Sequence, residues 1–504
     1  MAERPTSFSA IGLMGLDHAG PEPDPGTPVT GIAVDSRDVR QGFVFVAVPG
    51  LRRDGATFAQ YAVRQGAAAV VVTLDGLETA RADIGDLPVP FFLSRNPRAD
   101  LARLAAAYHR EQPKTIVAVT GTNGKTSVAD FTRQIWAGLG LRAAAFGTTG
   151  VVGTRFEEPL DMTTPEPVAL HALLARLVGK GCTHAAMEAS SHGLAQYRLD
   201  GVHLAAAALT NITRDHMDYH RDHDDYVGAK MRLFHSVLPR GGVAVLNADD
   251  PVFALARMAL AGRPMLSVGR AAGATLRLTR SDFRPDGQVI HFVWKSEVYT
   301  ALLSLIGSFQ ADNALLAAGL SIATGSQPEV VFDMLEHLTG VPGRMELAGR
   351  RANGASVFVD YAHTPDALKT ALAALRPHCA GRLVVVAGAG GDRDPGKRAL
   401  MGRAMADGAE TVIVTDDNPR TEDPIKIRSE VMQGCPLADD IAGRDHAILA
   451  GVDALKSAED CLLIAGKGHE KGQEIGGEVL PFDDVAQARA AIGALDGIQA
   501  EPQA

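Results

Sequence analysis

Between the apolar run Lys114–Val119 and a stretch of helical periodicity lies Thr120-Gly121-Thr122-Asn123-Gly124-Lys125-Thr126-Ser127. Glycines in such a turn let backbone N–H groups crowd around phosphate oxygens, and the following helix adds its positive dipole end. Lys125 supplies a point charge for β- and γ-phosphates, and the Thr126 hydroxyl can ligate Mg²⁺. The strict G-x-x-x-x-G-K-[ST] pattern needs glycine at position 119, where this chain has Val119. The loop is a shortened variant, and Gly121, Thr122, Asn123, Gly124, Lys125, Thr126 and Ser127 are expected to hold a nucleoside triphosphate.

Two further segments are dense in metal-capable groups: MEASSHGL (187–194) and LTNITRDHMDYHRDHDDYVGAK (209–230). Glu188 and His216 each lie just past a buried strand, where open α/β sheets place their ligands. Taken alone, the Asp/His run around His220 reads as a solvated loop and Lys230 as a surface lysine. GAGGDRDPGKR (388–398) fails as a dinucleotide fingerprint because Arg393 stands at the third glycine.

The elements that must position these groups alternate between apolar strands and helices. KTIVAVT (114–120) is a strand, and a helix from about Ser127 carries Val128, Phe131, Ile135 and Leu139 as its apolar stripe. Strands at 183–188, 203–211 and 241–247, each near a helix, predict a parallel sheet covered on both faces. Before them, GFVFVAVPG and the runs around Val70 and Phe91 form a first α/β unit ending near Asn96-Pro97, followed by a helix over 98–110. VPGR (341–344) reads as a hinge, and SVFVDYA, RLVVVAGAG, AETVIVTDD and EDCLLIAGKG are the strands of a third α/β unit. The expected domains are 1–97, 98–342 and 343–504.

A chain of 504 residues suits about three domains. With 46% hydrophobic and 21% charged residues it can bury several cores, which excludes disorder. A net charge of −10 disfavours nucleic acid and anionic membranes as partners. Cys182, Cys379, Cys435 and Cys461 lie far apart with no CxxC pair, as expected of reduced thiols. No cleavable leader pattern opens the chain, and no apolar run reaches the ~18 residues that span a bilayer. A cytoplasmic protein without membrane insertion is the expectation.

GTNGKTS, TTPEP (163–167), MEASSHGL, TNITRDHMDYH, YVGAK, GSFQADN (307–313), PGRME, DYAHTPDAL, GGDRDPGKR, TDDNPRTEDP and GKGHE occur in that order. Together they resemble the Mur ligases, ATP-dependent amide-forming enzymes of peptidoglycan synthesis, over nearly the whole chain. The resemblance implies a three-domain α/β architecture: a UDP-binding domain, a central P-loop ATPase with a mostly parallel sheet, and a Rossmann-like C-terminal domain. It implies that ATP phosphorylates a side-chain carboxylate and that an amine attacks the resulting acyl phosphate. By position, Thr126 and Glu188 would hold one Mg²⁺. His216 would hold a second metal with Lys230, the family's carbamylated lysine (N6-carboxylysine, its extra group derived from CO₂). Asn313, Arg344, Asp360 and His363 match nucleotide-binding positions. Where the family usually has Asn, this chain has Gln310.

The resemblance also implies substrates. Ser36, Thr163, Thr164, Ser190, Gln196 and Arg198 match positions that bind UDP-MurNAc-L-Ala-D-Glu. Asp417-Asn418-Pro419-Arg420 matches the signature of members that add meso-diaminopimelate, whose distal carboxylate calls for a fixed guanidinium. Arg393 and Arg420 would meet carboxylates, with Gly466 and Glu470 near the distal ammonium. A monomer is expected. The alternatives are a folylpolyglutamate synthetase-like ligase, disfavoured by the TTP, SSHGL and DNPR segments, and a regulatory ATPase using the P-loop alone.

Overall fold

The structure, a computed structural model, describes residues 6–50, 53–213, 215 and 219–497. Two compact units emerge: residues up to Leu266 with Leu320–Ser326, and Ser267–Gly319 with the chain from Gln327 onward.

The first unit holds two sheets. In the N-terminal one the strands run in the order His18–Ala19, Phe91–Leu93, Ala69–Val72, Phe43–Val46, Gly31–Ala33, all parallel except the short first strand. Because side chains alternate along a strand, Val70 and Val72 face the helices Ala59–Arg64 and Leu74–Ile84, while Ala69 and Val71 face the other way. On that second face Leu101 and Leu104 of helix Pro97–His109 complete the core. Asn96 caps this helix by accepting the Ala99 N–H, and Pro97 sits where no N–H is needed.

The larger sheet of this unit runs Phe156–Glu158, Gly150–Gly153, Ala143–Gly147, His184–Glu188, Thr115–Thr120, Leu204–Leu209, Val243–Asn247. Its five inner strands are parallel, and only the hairpin edge is antiparallel. Strand Thr115–Thr120 lies at its centre, buried on both faces, which its unbroken apolar sequence requires. Its neighbours are alanine-rich, so the covering helices approach closely; helix Lys125–Gly138 buries Val128, Phe131, Ile135 and Trp136. The register pairs Glu188 with Val119 and Leu209 with Thr120. The C-terminal ends of these strands therefore finish level with the phosphate loop.

In the second unit the strands Glu346–Arg350, Ser356–Asp360, Cys461–Ala465, Leu383–Ala387, Thr411–Val414 and Asp439–Asp440 form a sheet in that order, parallel after the first. This unit also contains an antiparallel meander, Leu276–Arg284, Gly287–Trp294 and Glu297–Leu303, which the sequence reading did not foresee. A small hairpin, Gly472–Ile475 with Glu478–Pro481, lies beyond the last long strand. All four cysteines are free and buried. No helix among the described residues is long and apolar enough to cross a membrane.

Candidate active site

The loop after strand Thr115–Thr120 is stitched to the segment after strand Leu204–Leu209. Thr122 N–H donates to Asn211 O at 2.7 Å, and Asn123 N–H to Asn211 Oδ1 at 3.0 Å. Thr210 Oγ1 and Asn211 Nδ2 both donate to Asn123 O, at 2.6 and 3.0 Å. Gly121 has φ +146°, and a Cβ there would sit 1.9 Å from Thr210 Oγ1, so only glycine fits. Gly124 takes φ +86° at the N-cap of the helix that begins at Lys125, two residues earlier than expected. Thr126 and Ser127 are buried in its first turn. Lys125 curls back so that its Nζ donates to Gly121 O at 3.1 Å and Thr122 O at 2.7 Å.

Lys230 is no surface lysine. It lies on helix His223–Arg232 with 1% of its surface exposed, its Nζ donating to Gly121 O at 2.7 Å and lying 4.4 Å from the Tyr226 ring centroid. Tyr226, one turn earlier on the same helix, bonds Thr122 Oγ1 at 3.0 Å. Burial first, and then the neighbouring Lys125 charge, hold the Lys230 amine well below the ordinary lysine range. His220 also departs from the solvated-loop reading: it is buried, with Nδ1 3.4 Å from Asp225 Oδ2, while Asp222, His223 and Asp224 are exposed. His216 lies outside the described residues.

Glu188, the last residue of its strand, is 1% exposed. Its carboxylate accepts Thr148 N–H at 2.8 Å and Thr148 Oγ1 at 3.2 Å, and it lies against the Cα of Gly147, where a Cβ would meet Oε1 at 2.2 Å. Each carboxylate oxygen keeps a lone pair for a cation. Among the described residues no three His, Cys, Asp or Glu side chains group to hold a metal ion. The Thr126 hydroxyl and Glu188 carboxylate instead suit Mg²⁺, which takes hard oxygen ligands and keeps waters or phosphate oxygens as the rest.

The TTPEP segment is locked to Glu188 from the other side. Thr164 Oγ1 donates to Glu188 O and accepts Ser190 N–H, both at 3.0 Å, and Thr163 Oγ1 lies 3.1 Å from Thr148 Oγ1. Ser190 Oγ caps the helix Ser191–Ala195 by accepting Gly193 N–H at 3.0 Å. Arg198 donates to Thr164 O and Gln196 Oε1, both at 2.7 Å, and pairs with Glu166 at 2.6 Å. Gln196 Nε2 in turn donates to Tyr219 OH at 3.1 Å. Ser36 is buried in the turn that follows strand Gly31–Ala33.

In the second unit the segment 343–345 is tied to strand Ser356–Asp360. The Asp360 carboxylate accepts the backbone N–H groups of Met345 and Ala362, at 2.7 and 2.9 Å. Its burial raises its pKa against the opposing pull of Arg344. Gly343, at φ +67°, lies where a Cβ would sit 2.2 Å from His469 N. The Arg344 guanidinium lies 4.5 Å from the Tyr361 ring centroid, and His363 Nδ1 is 2.8 Å from Tyr361 O. Gln310 is buried and accepts from Asn313 Nδ2 at 3.2 Å, so the longer amide orients Asn313.

The remaining candidates gather at the C-terminal ends of the second unit's parallel strands. Gly391 passes so close to the DNPR loop that a Cβ would meet Pro419 O at 2.0 Å, and a Cβ on Gly466 would meet Asp417 Oδ2 at 2.5 Å. The glycines of GAGG thus serve close approach to DNPR. Arg420 has φ +52°, a costly value for a side-chain-bearing residue, and the hairpin fixes it: Arg420 N–H donates to Glu474 O at 3.0 Å and Gly476 N–H to Arg420 O at 2.7 Å. Its side chain bonds Glu474 Oε2 at 3.0 Å and Gly391 O at 2.7 Å. Arg393 is exposed. Asn418 Nδ2 donates to Glu470 Oε2 at 3.0 Å.

Sequence reasoning missed several groups that build these sites. Thr148 carried no local signal, Glu166 sat in the TTPEP motif without a role of its own, and Tyr226 reads as a core aromatic. Arg444 and Asp484 form a fully buried pair, 2.6 Å apart, with Arg444 also donating to Ala465 O just before Gly466. Arg398 joins Glu422 and Glu430 to Gly390 O.

The profile for the Mur ligase family catalytic domain matches residues 28–109, that for the Mur ligase middle domain 119–321, and that for the Mur ligase glutamate ligase domain 343–468. The chain is 49% identical over 468 residues to UDP-N-acetylmuramoyl-L-alanyl-D-glutamate–2,6-diaminopimelate ligase of Brucella melitensis biotype 1, covering 92% of this chain and 94% of that protein. A solved structure of a ligase of that name matches with a TM-score of 0.71 and 33% identity over 98% of this chain and 99% of the other. Folylpolyglutamate synthase of Mycobacterium tuberculosis shares the fold, with a TM-score of 0.61 at 20% identity over 81% of this chain and 96% of its own.

Proposed function

The chain belongs to the Mur ligase family, and from that premise we propose which of its residues carry the family's reaction. It is an ATP-dependent, ADP-forming ligase that joins meso-diaminopimelate to UDP-MurNAc-L-Ala-D-Glu in the synthesis of peptidoglycan precursors, and the family works with Mg²⁺. The finer assignments are our reading. They extend to a cytoplasmic monomer, with domains at 1–97, 98–342 and 343–504, that neither enters a membrane nor binds nucleic acid.

In this reading the loop Gly121–Ser127 binds the ATP phosphates through its N–H groups and the Lys125 ammonium. Asn313, Arg344, Asp360 and His363 are further ATP contacts. The muramyl dipeptide is held by Ser36, Thr163, Thr164, Ser190, Gln196 and Arg198. Arg198 is largely occupied by Glu166, Gln196 and Thr164 O, so it acts mainly by fixing the Thr163-Thr164 segment beside Glu188. Thr126, Glu188, His216 and Lys230 hold cations. When bound, Mg²⁺ offsets the charge that accumulates as one anion attacks another.

Lys230 takes part as its carbamate. Burial favours the uncharged amine, whose lone pair can attack CO₂: the new N–C bond forms, the nitrogen loses one proton to solvent, and an anionic oxygen donor replaces the amine. The observation that carries the site assignment is the convergence of Lys125, Lys230 and the DNPR-independent motifs TTP and SSHGL around Gly121 and Glu188 within one unit.

The γ-phosphate moves to the free D-Glu carboxylate, giving an acyl phosphate and ADP. The diaminopimelate amine then attacks the carbonyl and expels phosphate. Arg393, Asp417, Asn418, Pro419, Arg420, Gly466 and Glu470 hold the diaminopimelate. Labelling the D-Glu side-chain carboxylate with ¹⁸O tests this order of events. One labelled oxygen is expected in the released phosphate; phosphate free of label would overturn it.

A further inference from the structure

The loops around DNPR are joined by a buried ammonium to which nothing above assigns a role. Lys467, directly after Gly466, is 0% exposed. Its Nζ lies 2.9 Å from Asn418 Oδ1 and 3.1 Å from Glu470 Oε2. An ammonium donates and never accepts, so the Asn418 atom it faces must be the carbonyl oxygen. That same oxygen accepts Glu474 N–H from the hairpin at 3.0 Å. The amide is thereby fixed in one of its two orientations, with Nδ2 turned to Glu470 Oε2.

The consequence is a donor beside an anionic acceptor. One Nδ2 hydrogen of Asn418 and the Oε1 of Glu470 have no further hydrogen bond among the described residues. A carboxylate and an ammonium on one carbon match that pair, whereas a bare ammonium uses only half of it. Without a cation at Lys467, the Glu474 N–H alone keeps the Asn418 oxygen turned inward, and the Glu470 carboxylate loses its inner partner. Each flip of the amide then presents an oxygen where the substrate carboxylate needs a hydrogen.

We propose that Lys467 is a positioning residue that sets the orientation of Asn418 and Glu470, and so the selectivity for a substrate with a second zwitterionic amino-acid end. The inference rests on the diaminopimelate reading above. It concerns a residue that touches that substrate only through its neighbours.

Steady-state ADP release by wild type, Lys467→Met and Lys467→Gln decides it, with ATP, UDP-MurNAc-L-Ala-D-Glu and either meso-diaminopimelate or L-lysine varied in turn. The Met variant is expected to raise KM for meso-diaminopimelate about tenfold or more, the loss of a charged buried hydrogen bond. Its kcat and its KM for the other two substrates should stay within about threefold. Its kcat/KM preference for diaminopimelate over lysine should fall about tenfold, and Lys467→Gln, which keeps an N–H donor, should recover part of both losses. A Met variant with the wild-type KM and preference overturns the role of Lys467, and so does a uniform rise in all three KM values. If the Met variant does not fold, the same comparison on the Gln variant decides. A wild-type enzyme indifferent to diaminopimelate overturns the functional reading itself, independently of either variant.

Discussion

Lys125 and Lys230 donate to one atom, the carbonyl oxygen of Gly121, at 3.1 and 2.7 Å. They come from elements about a hundred residues apart in sequence, and one of them is wholly buried. Two ammonium groups converging on one acceptor repel, and the buried one gives up its proton more readily. In the proposed carbamate form Lys230 would instead carry an anion beside Lys125, which removes the repulsion. Lys230→Ala should therefore lose ligase activity by about a hundredfold or more, a loss of roughly 3 kcal/mol of transition-state stabilisation. High bicarbonate will not restore it, because no amine remains, but a short carboxylic acid added in solution should do so in part. Full activity of the unsupplemented variant contradicts the assignment.

Gly147 tests the position of Glu188. A Cβ at residue 147 would have the Glu188 side chain as its nearest neighbour, at 2.2–2.5 Å. The side chain can move aside at little cost to the fold. Gly147→Ala should thus leave the melting temperature within a few degrees, a change of about 1 kcal/mol, yet raise the Mg²⁺ concentration for half-maximal activity severalfold. An unchanged Mg²⁺ titration would show that Glu188 does not bind the cation.

Arg420 tests amino-acid recognition. Its guanidinium already leans on Glu474 and Gly391 O, which hold it ready for a carboxylate. Arg420→Ala should raise KM for meso-diaminopimelate by about tenfold or more and weaken discrimination against lysine. Lys at this position should not rescue, since a point charge lacks the planar fork. An unchanged ratio of the two kcat/KM values would sink the role.

His171 gives the fold a pH dependence. It is buried on helix Pro167–Gly179, with Nε2 3.4 Å from Asp200 O, and burial lowers its pKa from 6.5 to about 4. His109 and His203 face it and push in the same direction when charged. Between those values the unfolded chain binds the proton and the folded one does not. Stability is therefore full above pH 6.5 and falls as the pH drops toward about 4. The loss is up to about 3 kcal/mol. The melting temperature should fall more between pH 7 and pH 5 in wild type than in His171→Gln; equal falls would assign the acid sensitivity elsewhere.

The phosphate loop was legible because its requirement is a backbone one, and backbone requirements are written as glycines at fixed spacing. The parallel strands were legible from unbroken apolar runs. Burial of Lys230 was not, because it depends on the distant Gly121 loop meeting a helix that alone looks charged and amphipathic. The role of Lys467 was hidden for the same reason, since Asn418 comes from another loop. The meander was missed although Pro285-Asp286-Gly287 marks its first turn, because Leu276–Arg284 carries too many charges to read as a strand. His220 was misread because composition alone does not say which side chain of an Asp/His run turns inward.

This chain consumes ATP in joining two particular substrates. Phosphate release by the purified protein with Mg²⁺-ATP, omitting UDP-MurNAc-L-Ala-D-Glu or meso-diaminopimelate in turn, tests it most directly. Release should require both, and lysine should replace diaminopimelate poorly. Release at the same rate with ATP alone would contradict it.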